Sequence, residues 1–228
     1  MNDRDLPPGQ RDIGEFPRFG LTQFADRFPR QTEHVDIQIG GDVRNAVTLS
    51  TELGDLPRIT HTSDFHCVTT WTARSLRWGG FRFSDFFEQI AVPVAQPEPD
   101  AKFVLFRCQD GYSVSLPLDD LMANGVLLAD ELDEQPLTIA HGAPLRLVAP
   151  AHYGYKNAKH LKGIEFWRDA REYRPAAFRF MDHPRARVDF EERGRWIPGR
   201  LLRLLYRPLV RRTIRLFEQK LNDHIDSR

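Results

Sequence analysis

The 228-residue chain predicts an α+β fold with mixed sheets. Three observations carry that expectation. Short runs rich in β-branched and aromatic residues recur over the first 167 residues, the helical patterns between them are brief, and no regular strand–helix–strand period connects them. Apolar content of 41% and charged content of 28% suit a globular protein with its own core, built as one large domain or two small ones. Sixteen Phe and sixteen Pro imply dense packing with many turns.

Residues 1–33 read as an extended arm, with Phe16, Phe19, Phe24 and Phe28 set among glycines and prolines and available to plug into a core. Residues 34–168 form the expected main domain. His34 to Ile39 alternates polar and apolar, the half-buried strand period, and Gly40-Gly41-Asp42 is a turn signal. Thr48 to Leu53 suits a short helix with Ser50 as its cap. His61 to Thr72 reads as a strand leading into a turn, with Cys67 strand-like and half-buried. Ser84 to Ile90 opens on a capping-box pattern and reads as a short helix. Strands are expected over 102–108, 112–117, 127–132, 145–150 and 162–167, with a turn at Asp110-Gly111, a brief helix over 118–122 and a turn over 133–136.

Residues 169–228 are a basic extension. Residues 168–228 carry 16 Lys/Arg against 9 Asp/Glu, whereas residues 1–167 carry 16 against 23. After a break at Trp196-Ile197-Pro198-Gly199, apolar and Arg positions alternate at helical spacing, which predicts an amphipathic helix kinked at Pro208. Such a tail suits an acidic partner: the chain's own body, a redox partner protein or, through residues 196–221, an anionic membrane surface. Its few exposed-type aromatics argue against nucleic acid. Two cysteines, no export signal and no apolar run long enough to span a bilayer set the expectation of a cytoplasmic protein without disulfides.

Two segments can carry chemistry. Cys67 offers a soft thiolate for a redox metal, or a nucleophile, or an inert buried thiol. His61 and His66 lie close in sequence, but no second cysteine cluster completes a zinc site, and Cys108 sits in an apolar strand. Between His141 and Lys159, Gly142 and Pro144 shape a turn, Arg146 offers a forked donor set that matches phosphate, and Lys156, Lys159 and Lys162 add positive charge. That segment by itself also reads as a solvated charged loop. A soft ligand at one end and a phosphate clamp at the other suit a long cofactor carrying both a metal and a phosphate.

The segments Asp64 to Thr72, Asp110-Gly111-Tyr112, Leu116-Pro117-Leu118, His141 to Val148 and Lys156 to Lys159, in this order, resemble the molybdopterin-binding domain of the sulfite oxidase family. The resemblance spans about residues 15–168. It implies a mixed-sheet α+β domain that holds a molybdenum–molybdopterin cofactor. By position it makes Cys67 the thiolate on molybdenum, His141 and Arg146 the holders of the pterin and its phosphate, and Asn157, Ala158 and Lys159 the closure of the phosphate end, partly through backbone N–H groups. Asp110 falls near a pterin-contacting acid. Trp71 and Thr72 stand where the sulfite-oxidising branch has arginines, so the chain looks more like the bacterial branch that includes the catalytic subunit of methionine sulfoxide reductase. Arg74 and Arg77 remain as further positive charge near the pocket. The expected activity is oxygen-atom transfer on a small S-oxide or related substrate. A metal-free Cys-nucleophile enzyme and a non-catalytic binding protein acting through its basic tail stand as alternatives.

Overall fold

The segment Leu127–Leu132 shows how the layers arise. Leu128 packs into one apolar cluster, while Leu127 and Ala129 pack into a second. Successive strand side chains point to opposite faces, so the sheet containing this strand is covered on both sides. A computed structural model describes residues 6–34, 36–171 and 173–227.

The doubly covered sheet contains β1 (Arg11–Asp12), β4 (Arg58–His66), β5 (Trp71–Arg82), β8 (Leu127–Leu132), β9 (Gln135–Pro136) and β10 (Arg146–Val148). Its order is β1-β5-β8-β10, with β4 along β5 and β9 on β8. Only the short β1 runs parallel to its neighbour. The second sheet has the order β3 (Val47–Leu49), β2 (Ile37–Gly41), β11 (Leu161–Trp167), β6 (Phe103–Cys108) and β7 (Ser113–Pro117), with β2 and β11 parallel and the other pairs antiparallel. Ile39, Phe106 and Ile164 from this sheet meet Phe81, Leu128 and Leu147 from the first. Phe83 and Phe86 of α1 (Phe83–Phe86) and Ile90 of the π-helical stretch Phe87–Ala95 complete that core.

The other face of the first sheet is covered by the two ends of the chain. Trp71, Trp78 and Val148 pack with Phe16 and Phe19 of the arm and with Val210 of the C-terminal helix. The basic extension forms α3 (Gly199–Tyr206), a 3-10 turn Arg207–Leu209 and α4 (Val210–Asp226), after α2 (Leu118–Leu121) in the body. The expected kink falls at Pro208, which has no N–H to continue the α-helical ladder. Leu202, Tyr206, Val210, Thr213 and Phe217 form the buried face. The arm lies beneath it: Phe19 stacks on Phe217 (6.3 Å), Phe28 stacks on His224 (3.8 Å), and the Arg18 guanidinium lies over both Phe28 and Phe217.

Several local expectations need correction. Residues 48–49 belong to β3, and the helical turn is 3-10, Glu52–Asp55; the Ser50 N–H donates to the Glu52 carboxylate while its hydroxyl donates to Asp36, so Ser50 does not cap it. Strand pairing with β2 takes these residues ahead of helix propensity. Ser84 is inside α1, and Arg82 occupies the cap position without a side-chain hydrogen bond. The run 61–72 is two strands with Cys67–Thr70 as the turn between them. Residues 135–136 pair with β8 rather than forming only a turn. Val35, the first apolar residue of the expected 34–39 strand, lies outside the described residues.

Gly80 sits at the irregularity where β5 meets β8, with φ +156°, and an added Cβ would press on the Leu128 carbonyl. Gly80→Ala is therefore expected to lower unfolding free energy by about 1–3 kcal/mol in urea titration. Gly54→Ala, where a Cβ meets nothing within 4 Å, is expected to stay within about 0.5 kcal/mol. Equal effects at the two positions would refute this account of the strand contact.

Candidate active site

Each cysteine precedes a three-residue hairpin loop of the same construction. The Cys67 N–H donates to the Trp71 carbonyl and the Thr70 N–H returns to Cys67; likewise Cys108 with Tyr112 and Gly111. Such loops end on a left-handed residue, usually glycine. Gly111 fills that place at φ +86°, but Thr70 does so at φ +81°. A β-branched residue is strained there, and the Thr70 hydroxyl is buried without a partner. The surroundings therefore determine the Cys67 turn more tightly than its own residues do.

Those surroundings come from both ends of the chain. Gln10 donates from Nε2 to the Cys67 carbonyl (3.0 Å) and accepts from the Thr72 hydroxyl, which also bonds His66 Nδ1 (2.9 Å). Arg193, fully buried, donates to the Val68 carbonyl (2.6 Å) and the Pro8 carbonyl (2.8 Å) and pairs with Glu191. Cys67 itself is in the turn and buried, at 6% exposure, rather than strand-like and half-buried. Its Sγ lies 3.2 Å from the Thr69 hydroxyl. Burial pushes the thiol up to about 11, against the pull of the Thr69 hydrogen bond and of Arg193 and Lys159.

Cys67 opens on a cavity of about 320 Å³ that Asp110, His141, Arg146, Asn157 and Lys159 also line. The wall is otherwise largely aromatic, including Phe16, Phe19, Phe65 and Trp71, and the extension closes it with Tyr206, Leu209 and Phe217. Arg146, 1% exposed, points from β10 to the arm side of the sheet, over Trp78 (4.8 Å) and near Phe16 and Phe65. It donates to the His141 carbonyl (2.7 Å). No carboxylate among the described residues pairs with it, and burial lowers its pKa to about 9. Lys159 turns its ammonium toward the carbonyls of Phe19 (3.3 Å) and Ala140 (3.5 Å); burial, then repulsion from Arg146 and Arg18, lowers it to about 7. His141 stacks on Phe16 at 4.6 Å, and its Nδ1 is buried without a partner. Burial and the two neighbouring cations lower it to about 4, so it is neutral near pH 7.

Other expected residues serve the scaffold. Asn157 accepts from the Ala149 N–H (2.7 Å) and donates to His152 and Tyr153 carbonyls, tying the 149–157 loop. Ala158 packs in the core between the sheets. The N–H groups of Asn157 and Ala158 bond Gly154 and Lys156 carbonyls, so those donors are engaged inside the loop. Lys156 is fully buried on Asp182 (3.0 Å), Lys162 is exposed on β11, Arg74 lies beside Asp64, and Arg77 pairs with Glu134. None of these four lines the cavity. Asp110 is the only acid on its wall among the described residues; its carboxylate accepts the Tyr112 N–H, and burial raises its pKa. The sequence reading missed Arg18, Gln10 and Arg193. Arg18 was signalled as the one cation within the aromatic Phe16–Phe19 stretch, whereas nothing in the sequence links Arg193 to Val68, 125 positions away.

A buried guanidinium that no carboxylate among the described residues pairs with is costly unless an anion joins it. Among the described residues no group of three or more His, Cys, Asp or Glu could hold a metal unaided. The donor set thus suits one ligand that brings an anionic end to Arg146 and Lys159 and a soft metal to Cys67. Residues 25–174 match the family model of the oxidoreductase molybdopterin-binding domain. The chain belongs to that family.

As a member of this molybdopterin-binding oxidoreductase family, it is an enzyme whose cofactor is molybdopterin. It is 37% identical over 165 residues to the Bacillus subtilis oxidoreductase YuiH, covering 72% of this chain and 80% of that protein. It is 30% identical over 217 residues to MsrP, the catalytic subunit of a protein-methionine-sulfoxide reductase of Campylobacter jejuni, covering 81% and 70%. The sulfane dehydrogenase SoxCD of Paracoccus pantotrophus shares the fold, with TM-score 0.52 and 20% identity over 67% of this chain and 44% of that one. The two mixed sheets with few short helices are the sulfite oxidase-type architecture that the motifs implied.

Lys159 makes the cofactor-free enzyme sensitive to pH. Between about 7 and the ordinary 10.5 the unfolded chain holds a proton that the folded chain lacks, so this residue makes stability rise with pH across that window. Thermal melts of cofactor-free protein are expected to show that rise, and Lys159→Met is expected to flatten it and to be the more stable variant at pH 6 and below. Parallel melting curves would refute the buried-ammonium account.

Proposed function

We propose that the enzyme catalyses oxygen-atom transfer on a small S-oxide or related substrate, with Cys67 as the protein ligand of molybdenum and with Arg146, Lys159 and His141 holding the anionic pterin end. One observation carries this reading: Arg146 is buried, with no counter-ion among the described residues, on the same cavity wall that presents the thiol of Cys67. When bound, the cofactor supplies the two-electron redox chemistry of its metal. Reduction of a sulfoxide to a sulfide releases water and consumes two electrons and two protons, so a redox partner must deliver electrons. The relation to MsrP supports the sulfoxide class.

The residues have distinct tasks. Cys67, whose thiol burial favours in the protonated form, would hold the metal as a thiolate and release its proton on binding it. Arg146 and Lys159 offer charge-assisted donors to a phosphate, and the carbonyls of His141, Phe19 and Ala140 fix where those donors point. Neutral His141 lines the cavity and has a buried Nδ1 without a partner, able to bond a ring heteroatom or exchange a proton. Phe16, Phe19, Phe65 and Trp71 exclude water from the reacting end. The nucleophile reading fares worse: the hydrogen-bonding neighbour of Cys67 Sγ is a threonine, not a base, and burial raises the thiol instead of activating it.

Elemental analysis of natively purified enzyme is expected to find molybdenum. Cys67→Ser should abolish sulfoxide reduction, and a variant that keeps full turnover with bound cofactor would overturn the ligand assignment. Arg146→Ala removes a charge-assisted contact worth about 1.5–3 kcal/mol, so it should lose cofactor during purification. Unchanged molybdenum content in that variant would contradict its role.

A further inference from the structure

The outward face of the C-terminal helix pair has no task in the cavity. Leu201, Leu204, Leu205 and Leu209 are 51%, 65%, 65% and 52% exposed. Their spacing sets them along one side of α3 and the turn that follows, while Leu202, Tyr206 and Val210 fill the buried side. Arg200, Arg207 and Arg211, at spacings of seven and four, are all exposed and edge the leucine row. Trp196, 77% exposed, stands just before α3. From Arg193 to Phe217 there are eight arginines and no acid.

We infer that this face docks on an anionic lipid surface. Four exposed leucines in a row are disfavoured in water, and the arginines beside them need negative charge within a side chain's reach. The boundary between headgroups and acyl chains provides both at that depth: leucines enter the apolar layer, Trp196 sits at the interface, and the arginines reach phosphates. A second copy of the chain would set one acid-free arginine row against another. A nucleic acid would leave the leucines in water. Among the described residues no helix is long and apolar enough to cross a membrane. Leu209 is both half exposed on this face and part of the cavity wall, so docking brings that wall to the membrane surface.

The inference is independent of the reaction assigned above, because its test reads binding only. Full-length protein is mixed with vesicles of phosphatidylglycerol and phosphatidylcholine, or of phosphatidylcholine alone, and floated on a density gradient. It is expected to float with the anionic vesicles at low salt, to be released by high salt, and to stay behind with neutral ones. Its tryptophan emission should shift to shorter wavelength on binding, a shift absent in Trp196→Phe. The triple variant L201Q/L204Q/L205Q alters only exposed side chains and should keep its circular dichroism and melting curve while binding roughly tenfold or more weakly. R200Q/R207Q/R211Q should do the same. Failure of the full chain to float with anionic vesicles would overturn the proposal. So would binding that survives the leucine substitutions, or recruitment only to vesicles carrying an integral membrane protein, which would assign the face to a protein partner.

Discussion

One electrostatic constraint organises this enzyme: a buried guanidinium with no carboxylate beside it among the described residues. Arg146 is held by a backbone carbonyl and surrounded by the rings of Phe16, Phe65 and Trp78, which stabilise a cation less than an anion would. Lys159 is buried nearby, where the Asp110 carboxylate only partly offsets the cost of burial, and the two cations repel each other and suppress protonation of His141. A fold that stopped there would carry a desolvation cost without return. An anionic ligand end reverses the balance, and the cavity that would receive it also contains the one thiol suited to a soft metal.

The second constraint is geometric. The Cys67 loop uses the same backbone hydrogen bonds as the Cys108 loop but has threonine where that loop has glycine. Its conformation is therefore held from outside, by Gln10 on the Cys67 carbonyl and Arg193 on the Val68 carbonyl. These donors come from the arm and the extension, the same segments whose Phe16, Phe19, Tyr206 and Phe217 wall the cavity. The body supplies the chemistry-bearing side chains, and the chain ends hold them and exclude water. Covering the sheet on its second face and closing the site are thus one structural act.

Much of this was legible in the sequence because it depends on neighbours along the chain. The strands at 103–108 and 127–132 follow local alternation and turn chemistry, and the break at Pro208 follows from a missing N–H. The motif around Cys67 and that from His141 to Lys159 carry the resemblance to the family in the sequence alone. Local signals failed where tertiary pairing outweighed them: pairing of β3 with β2 took Thr48 and Leu49 from the expected helix.

The sequence by itself determined the fold class, the cofactor class and the residue types at the two ends of the site, since these rest on periodicity and on motif order. Only the tertiary structure decided that Arg146 has no counter-ion among the described residues, that Lys156 belongs to Asp182, and that Arg193 grips a loop 125 positions earlier. Whether a cation is paired depends on which side chains share its pocket, and sequence distance carries no information about that.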